Sequence, residues 1–120
     1  MNREIKFRAW WRGQEKFDYI DSFKKFSSYS FPLDWCVIQQ YTGLKDKNGI
    51  EIYEGDLLVE PRDTLPNYFE VIWSLNMAGF DTKIHRKHNK MIGKAHVYAE
   101  SLGGYEICGN IFENPELLKQ

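Results

Sequence analysis

Positive charge and imidazole gather in one place in this chain. Lys83, His85, Arg86, Lys87, His88, Lys90, Lys94 and His96 bring five Lys or Arg side chains and all three histidines into a stretch with no acid after Asp81. Such a patch can hold phosphates, with an affinity that falls as salt rises. The residues that would carry nucleic-acid binding are Lys83, Arg86, Lys87, Lys90 and Lys94. Aromatic side chains for base stacking are not interleaved among them, and the plain alternative is a solvated turn between two strands. His85 and His88 stand three apart and His96 eight further on, with no Cys or carboxylate beside them. That spacing matches no standard zinc motif, so no metal site is expected.

A second chemistry would use carboxylates. Glu51, Glu54 and Asp56 fall close together, and paired acids can share acid–base work across a cleft. An enzyme using Glu54 or Asp56 would show a cleft holding a carboxylate with a raised pKa; a flat, exposed acidic turn would argue against it. The structural alternative is that Asp56, after Gly55, accepts backbone N–H groups and fixes a turn. No Ser-His-Asp or Cys-His neighbourhood and no phosphate-cradling glycine loop stands out. No catalytic residues and no cofactor are therefore expected.

These groups sit on strands and turns. Residues 3–10 alternate, with Ile5, Phe7 and Ala9 facing one way and Lys6, Arg8 and Trp10 the other, which predicts a half-buried strand. Arg12 to Glu15 is a polar break, and Lys16 to Ile20 alternates again, completing a hairpin. Residues 22–34 carry four serines and one proline among aromatics and read as a loop. Further strands are expected at 35–41, 50–53, 57–59, 68–73, 80–84, 95–100 and 105–112, with Gly43, Asn48-Gly49 and Gly55 marking turns. Asn114-Pro115-Glu116 reads as a helix start, with Asn as cap and Pro at the first helical position, and a final turn burying Leu117 or Leu118.

The 120 residues suit one compact domain, and 42% hydrophobic with 28% charged residues is a globular balance. Aromatics are 16% of the chain, enough large side chains to fill a small core. Sixteen basic and seventeen acidic residues leave a net charge of −1, so no global field favours nucleic acid or an anionic membrane. No apolar run could cross a bilayer as a helix, and the start leads into a strand-like segment instead of a signal core. A cytoplasmic location and no membrane partner are expected. Cys36 and Cys108 are far apart with no CxxC spacing, and are expected as reduced, partly buried thiols; no feature requires a disulfide.

Three segments carry a family resemblance. Arg3-Glu4-Ile5-Lys6-Phe7-Arg8-Ala9-Trp10, the central run from Gln40 to Asp56, and Gly109-Asn110-Ile111-Phe112-Glu113-Asn114-Pro115-Glu116-Leu117-Leu118 resemble, in order, the blocks of YopX-family proteins. The resemblance implies a bacteriophage or prophage protein acting inside a bacterial host, with a fold similar to a small SH3-like barrel. It supplies no established activity and no catalytic residues. The segments 22–34 and 83–94 depart from it and look individual to this chain.

The resulting expectation is a mainly β domain: a small SH3-like barrel with an added N-terminal hairpin and a short C-terminal helical turn. Residues 1–120 form one domain, with a subdivision falling between a 1–34 hairpin and loop and a 35–120 core. The leading function is a non-enzymatic binding module whose partner is a host or phage protein, or a second copy of itself. Nucleic-acid binding through 83–94 is the alternative, and an enzyme using Glu54 or Asp56 comes third.

Overall fold

The computed structural model describes residues 4–20, 35–64, 66–76, 78–85 and 99–118. The loop expected over 22–34 lies outside them, as do residues 86–98. Eight strands are present: β1 Phe7–Trp11, β2 Lys16–Ile20, β3 Cys36–Lys45, β4 Glu51–Tyr53, β5 Asp56–Val59, β6 Tyr68–Ser74, β7 Gly79–His85 and β8 Glu106–Asn110. They pair antiparallel into two four-stranded sheets, ordered β2-β1-β3-β4 and β7-β6-β5-β8. The chain is mainly β. Among the described residues the strand ladders keep the two sheets separate and do not close into one ring.

The expected N-terminal hairpin is β1–β2, with Phe7 opposite Ile20 and Trp10 opposite Phe17. Its exposure is not as expected. The alternation of β1 holds, but both faces are covered: Ala9 is buried on one, Arg8 and Trp10 on the other. β1 is an inner strand, with β3 on its second edge placing Ala9 opposite Ile38. On one face Ala9, Ile20 and Cys36 pack with Phe7, Trp11 and Ile38. On the other, Trp10 stacks on Phe112 at 5.1 Å and meets Phe17 at 4.8 Å. Sheet one is thereby fastened to the C-terminal segment.

The larger core lies where the sheets meet. Ile52, Leu58, Phe69, Val71, Leu102 and Tyr105 are buried together, with Leu44, Phe80, Ile84 and Ile107 around them. Alternation along β4 and β6 turns Ile52, Phe69 and Val71 inward, as period-two strands require. Leu102 enters from a short 3-10 helix, Ala99–Gly104. The strand expected over 95–100 is therefore corrected at its end: Ala99 and Glu100 open this helix, and residues 95–98 lie outside the described chain. The last strand is also shorter than expected, Glu106–Asn110.

Two glycines serve the path of the chain. Gly43 was expected at a turn but sits inside β3 at φ 86°, where the β3–β4 register shifts between Tyr41 and Lys45. It is the glycine of a bulge, which bends a strand without ending it. Gly55 (φ 83°) carries the chain from sheet one into sheet two. Its N–H donates to the Val71 carbonyl at 2.8 Å and its carbonyl accepts from Ile111 N–H at 2.9 Å. A Cβ here would meet the end of the Gln39 side chain, which would have to shift, and the left-handed φ itself favours glycine.

The C-terminal turn Pro115–Leu118 is 3-10 and leaves Leu117 and Leu118 half-buried. Asn114 does not cap it by its side chain. Its Oδ1 instead accepts from Asn110 N–H at 3.1 Å, while Asn110 Oδ1 accepts from the N–H groups of Phe112 and Glu113. The two asparagines hold the bend after β8 in a fixed shape.

Candidate functional site

An ion pair lies between the sheets. Arg8 of β1 and Asp56 of β5 meet at 3.0 Å, with Arg8 4% and Asp56 3% exposed. Arg8 Nε donates to Gln39 Oε1 at 2.9 Å, and its Nη2 donates to both the Glu54 carbonyl and Asp56 Oδ1 at 3.0 Å. Its guanidinium lies over the Phe17 ring at 4.1 Å and the Tyr53 ring at 4.8 Å. The second oxygen of Asp56 accepts from Tyr53 N–H at 2.8 Å. The bond to Tyr53 is the turn-fixing role expected for Asp56. The buried salt bridge to Arg8 was not expected. Burial pushes the Asp56 carboxyl above its ordinary range, against the downward pull of Arg8 and the Tyr53 N–H.

Above this pair opens a cleft of about 410 Å³. One wall is Glu51 and Tyr53 of β4 with Ile50 just before them; the other is Ile107, Gly109 and Asn110 of β8 with Glu113 and Asn114 beyond it; Tyr19 and the Arg8–Asp56 pair complete the lining. The first, central and last of the segments singled out in the sequence thus meet in one place. Tyr19, 47% exposed, stands edge-on to Tyr53 at 5.7 Å, and Ile50 is exposed on the rim. Glu51 is held by Lys6, whose ammonium also meets Glu4 at 2.9 Å. Those bonds, Glu51 first, hold Lys6 above its usual pKa. Glu113 Oε1 accepts from Asn110 Nδ2 at 2.6 Å.

Two buried donors on this lining are unspent. Arg8 uses Nε and Nη2, but its Nη1 has no hydrogen-bond partner among the described residues. The hydroxyl of Tyr53, a residue only 4% exposed, also lacks one. Buried donors without partners are uncommon in folded proteins and call for an explanation. Burial, then the Glu51 carboxylate, push the Tyr53 phenol up to about 12.

This has a consequence in alkali. Unfolded tyrosine ionises near ~10, while native Tyr53 keeps its proton to about 12. Its contribution is fully present below the unfolded value and is lost as pH rises through the native one. Urea midpoints measured across alkaline pH should therefore fall through that window, and Tyr53→Phe should flatten part of the fall. An unchanged slope in the variant would assign the loss to other groups.

Of the five expected nucleic-acid contacts, Lys83 is described and exposed on β7; Arg86, Lys87, Lys90 and Lys94 lie outside the described residues. His85 meets Glu70 at 2.8 Å, and His88 and His96 are not described. Among the described residues no three His, Cys, Asp or Glu side chains gather as a metal site. Glu54 is half-buried, and its Oε1 accepts from Gln40 N–H at 2.9 Å, a structural bond between strands. Cys36 and Cys108 are separate thiols; burial pushes Cys108, whose Sγ lies 3.4 Å from the Leu57 carbonyl, up to about 11. No helix of the described residues is long and apolar enough to cross a membrane.

Sequence reasoning missed Arg8, Gln39 and the β8 wall. The one signal for Arg8 was Trp10, a large aromatic on the same face of the strand.

Comparison with known proteins supplies the relatives. No match is found among curated proteins. A crystal structure of protein EF1440 from Enterococcus faecalis is similar over 96% of this chain and 98% of its own, at 26% identity and a TM-score of 0.62. The profile of a family described as YopX protein matches residues 13–119. Nearly the whole chain lies within that match, and the protein belongs to the YopX family.

Proposed function

We propose that this chain is a non-enzymatic binding module that recognises its partner through the cleft above Arg8 and Asp56. The observation that carries the reading is the state of the floor. Its two charges are committed to each other and to Gln39, Glu54 and Tyr53, so they shape the site without being free to transfer protons. The walls, by contrast, offer aromatic, amide and carboxylate groups to solvent. Pockets with an anchored polar floor and mixed walls are common binding sites. The small SH3-like barrel and the role inside a bacterial host belong with this reading, because such folds meet partners through loops and sheet edges.

One observation favours an enzyme as the second reading: Asp56 is a carboxylate with a raised pKa beside a cleft, as that reading requires. Against it, both carboxylate oxygens are occupied and the side chain is 5% exposed. Nucleic-acid binding through Lys83, Arg86, Lys87, Lys90 and Lys94 is the other alternative; of these Lys83 is described, and it does not line this cleft.

Fragment screening by two-dimensional NMR of the isotopically labelled chain tests the proposal. Fragments should shift the amides of Ile107 to Asn114 and Ile50 to Asp56 and be recovered unchanged. A screen with no shifts at those amides would remove the cleft as the recognition site. Conversion of a fragment to product would replace the binding module by an enzyme.

A further inference from the structure

Resting on that reading, we propose that the cleft takes a basic peptide segment of a partner protein, bound by a backbone carbonyl at its floor and by a Lys or Arg side chain at its rim. The floor asks for an acceptor. Arg8 Nη1 and the Tyr53 hydroxyl are buried donors without partners among the described residues, and both side chains line the cleft. A carbonyl oxygen placed between them would satisfy both and remove the cost of leaving them unpaired.

The rim decides the charge of the ligand. Three carboxylates, from Glu51, Asp56 and Glu113, line the cleft against one guanidinium, from Arg8. An anionic acceptor would meet that field unfavourably, and so would the phosphates of a nucleic acid. A neutral carbonyl would not. Glu51 and Glu113 each use one oxygen internally, towards Lys6 and Asn110, and keep the other for a ligand. A cationic head group reaching them would form charge-assisted hydrogen bonds. Its aliphatic stem would lie along exposed Ile50 and the face of Tyr19, where Lys and Arg side chains gain apolar contact and cation–π attraction. Peptide amides supply the acceptor, and a basic residue supplies the cation, in one ligand.

The test is selection of a random decapeptide display library on the full chain, followed by binding measurements with the selected peptides in synthetic, terminally blocked form. Enriched peptides should carry Lys or Arg, displace cleft-bound fragments, and lose affinity as salt rises. Tyr53→Phe and Glu113→Gln should each weaken them by about tenfold. Neither variant should lower the melting temperature, because the Tyr53 hydroxyl has no partner to lose and Glu113 is exposed. If a variant fails to fold, the salt dependence of the wild-type chain still decides. Selected peptides that are acidic or neutral, or that bind both variants unchanged, would overturn this ligand class while leaving the cleft a binding site, provided they displace fragments. No enrichment from the library would also overturn it, as would random single-stranded oligonucleotides shifting the same amides. Failure of the fragment screen as well would remove the binding reading itself.

Discussion

Asp56→Ala should cost about 3–5 kcal/mol of stability, because it strips a buried guanidinium of its counter-charge. Arg8 would keep the Glu54 carbonyl and Gln39 but would carry an uncompensated charge at 4% exposure. Total stabilities of small domains run to about 5–15 kcal/mol, so the loss would be a large share. The effect belongs to the pair: Arg8→Met combined with Asp56→Ala should lose less than the two single losses added. Urea denaturation of the four proteins of this cycle measures both quantities. A single-variant loss below about 1 kcal/mol would mean that Asp56 stands in water, as surface pairs do.

Asp46→Ala should be nearly as damaging, at about 2–4 kcal/mol, for a different reason. Asp46 is 5% exposed, and its carboxylate accepts three backbone N–H groups: Asn48 at 2.8 Å, Ile50 at 2.9 Å and Ile107 at 3.1 Å. The first two close the Asn48-Gly49 turn, where the chain is exposed and water can replace the lost acceptor. The third ties that turn to β8, and Ile107 packs against the main core. Hydrogen exchange should show all three amides losing protection, with Ile107 the most affected relative to its neighbours. Asp46→Asn separates the two duties: its oxygen can serve the turn, but its amide group presents donors to the Ile107 N–H. A variant that left Ile107 protected would place the link between turn and β8 elsewhere, for instance on the bond from Lys47 N–H to the Tyr105 carbonyl.

Local rules served the strands well. Alternation at residues 7–11 and 16–20, apolar composition at 57–59 and 68–73, and the Asn48-Gly49 turn are written in neighbouring residues, and β1, β2, β5, β6 and their turns follow. Gly43 shows where such rules lose resolution. A glycine that bends a strand and one that ends it present the same local signal, and only the pairing of β3 with β4 distinguishes them. Arg8 shows the larger gap. A cation on an alternating strand reads as solvent-facing, and its partner Asp56 is 48 residues away. The candidate site was legible only in parts. Glu51 and Asp56 were singled out, but β8, the opposite wall, is brought to them by pairing with β5, which no spacing in the chain announces. Of the two stretches read as individual to this chain, 22–34 lies outside the described residues, and 83–94 enters the described fold only through Lys83, Ile84 and His85.

The order of the partners of Arg8 along the chain bears on how the protein is made. Synthesis delivers the N-terminus first. The β1–β2 hairpin therefore emerges with its cation unmatched, since Gln39, Glu54 and Asp56 follow 31, 46 and 48 residues later. The Trp10 ring waits longer still, for Phe112. Sheet one can gather early on the face of Ala9 and Ile20, but its opposite face stays unfinished until Phe112 has been made. The cleft is thus completed only after β8 has been made, and a chain stopped short of β8 would have the floor of the site without its second wall.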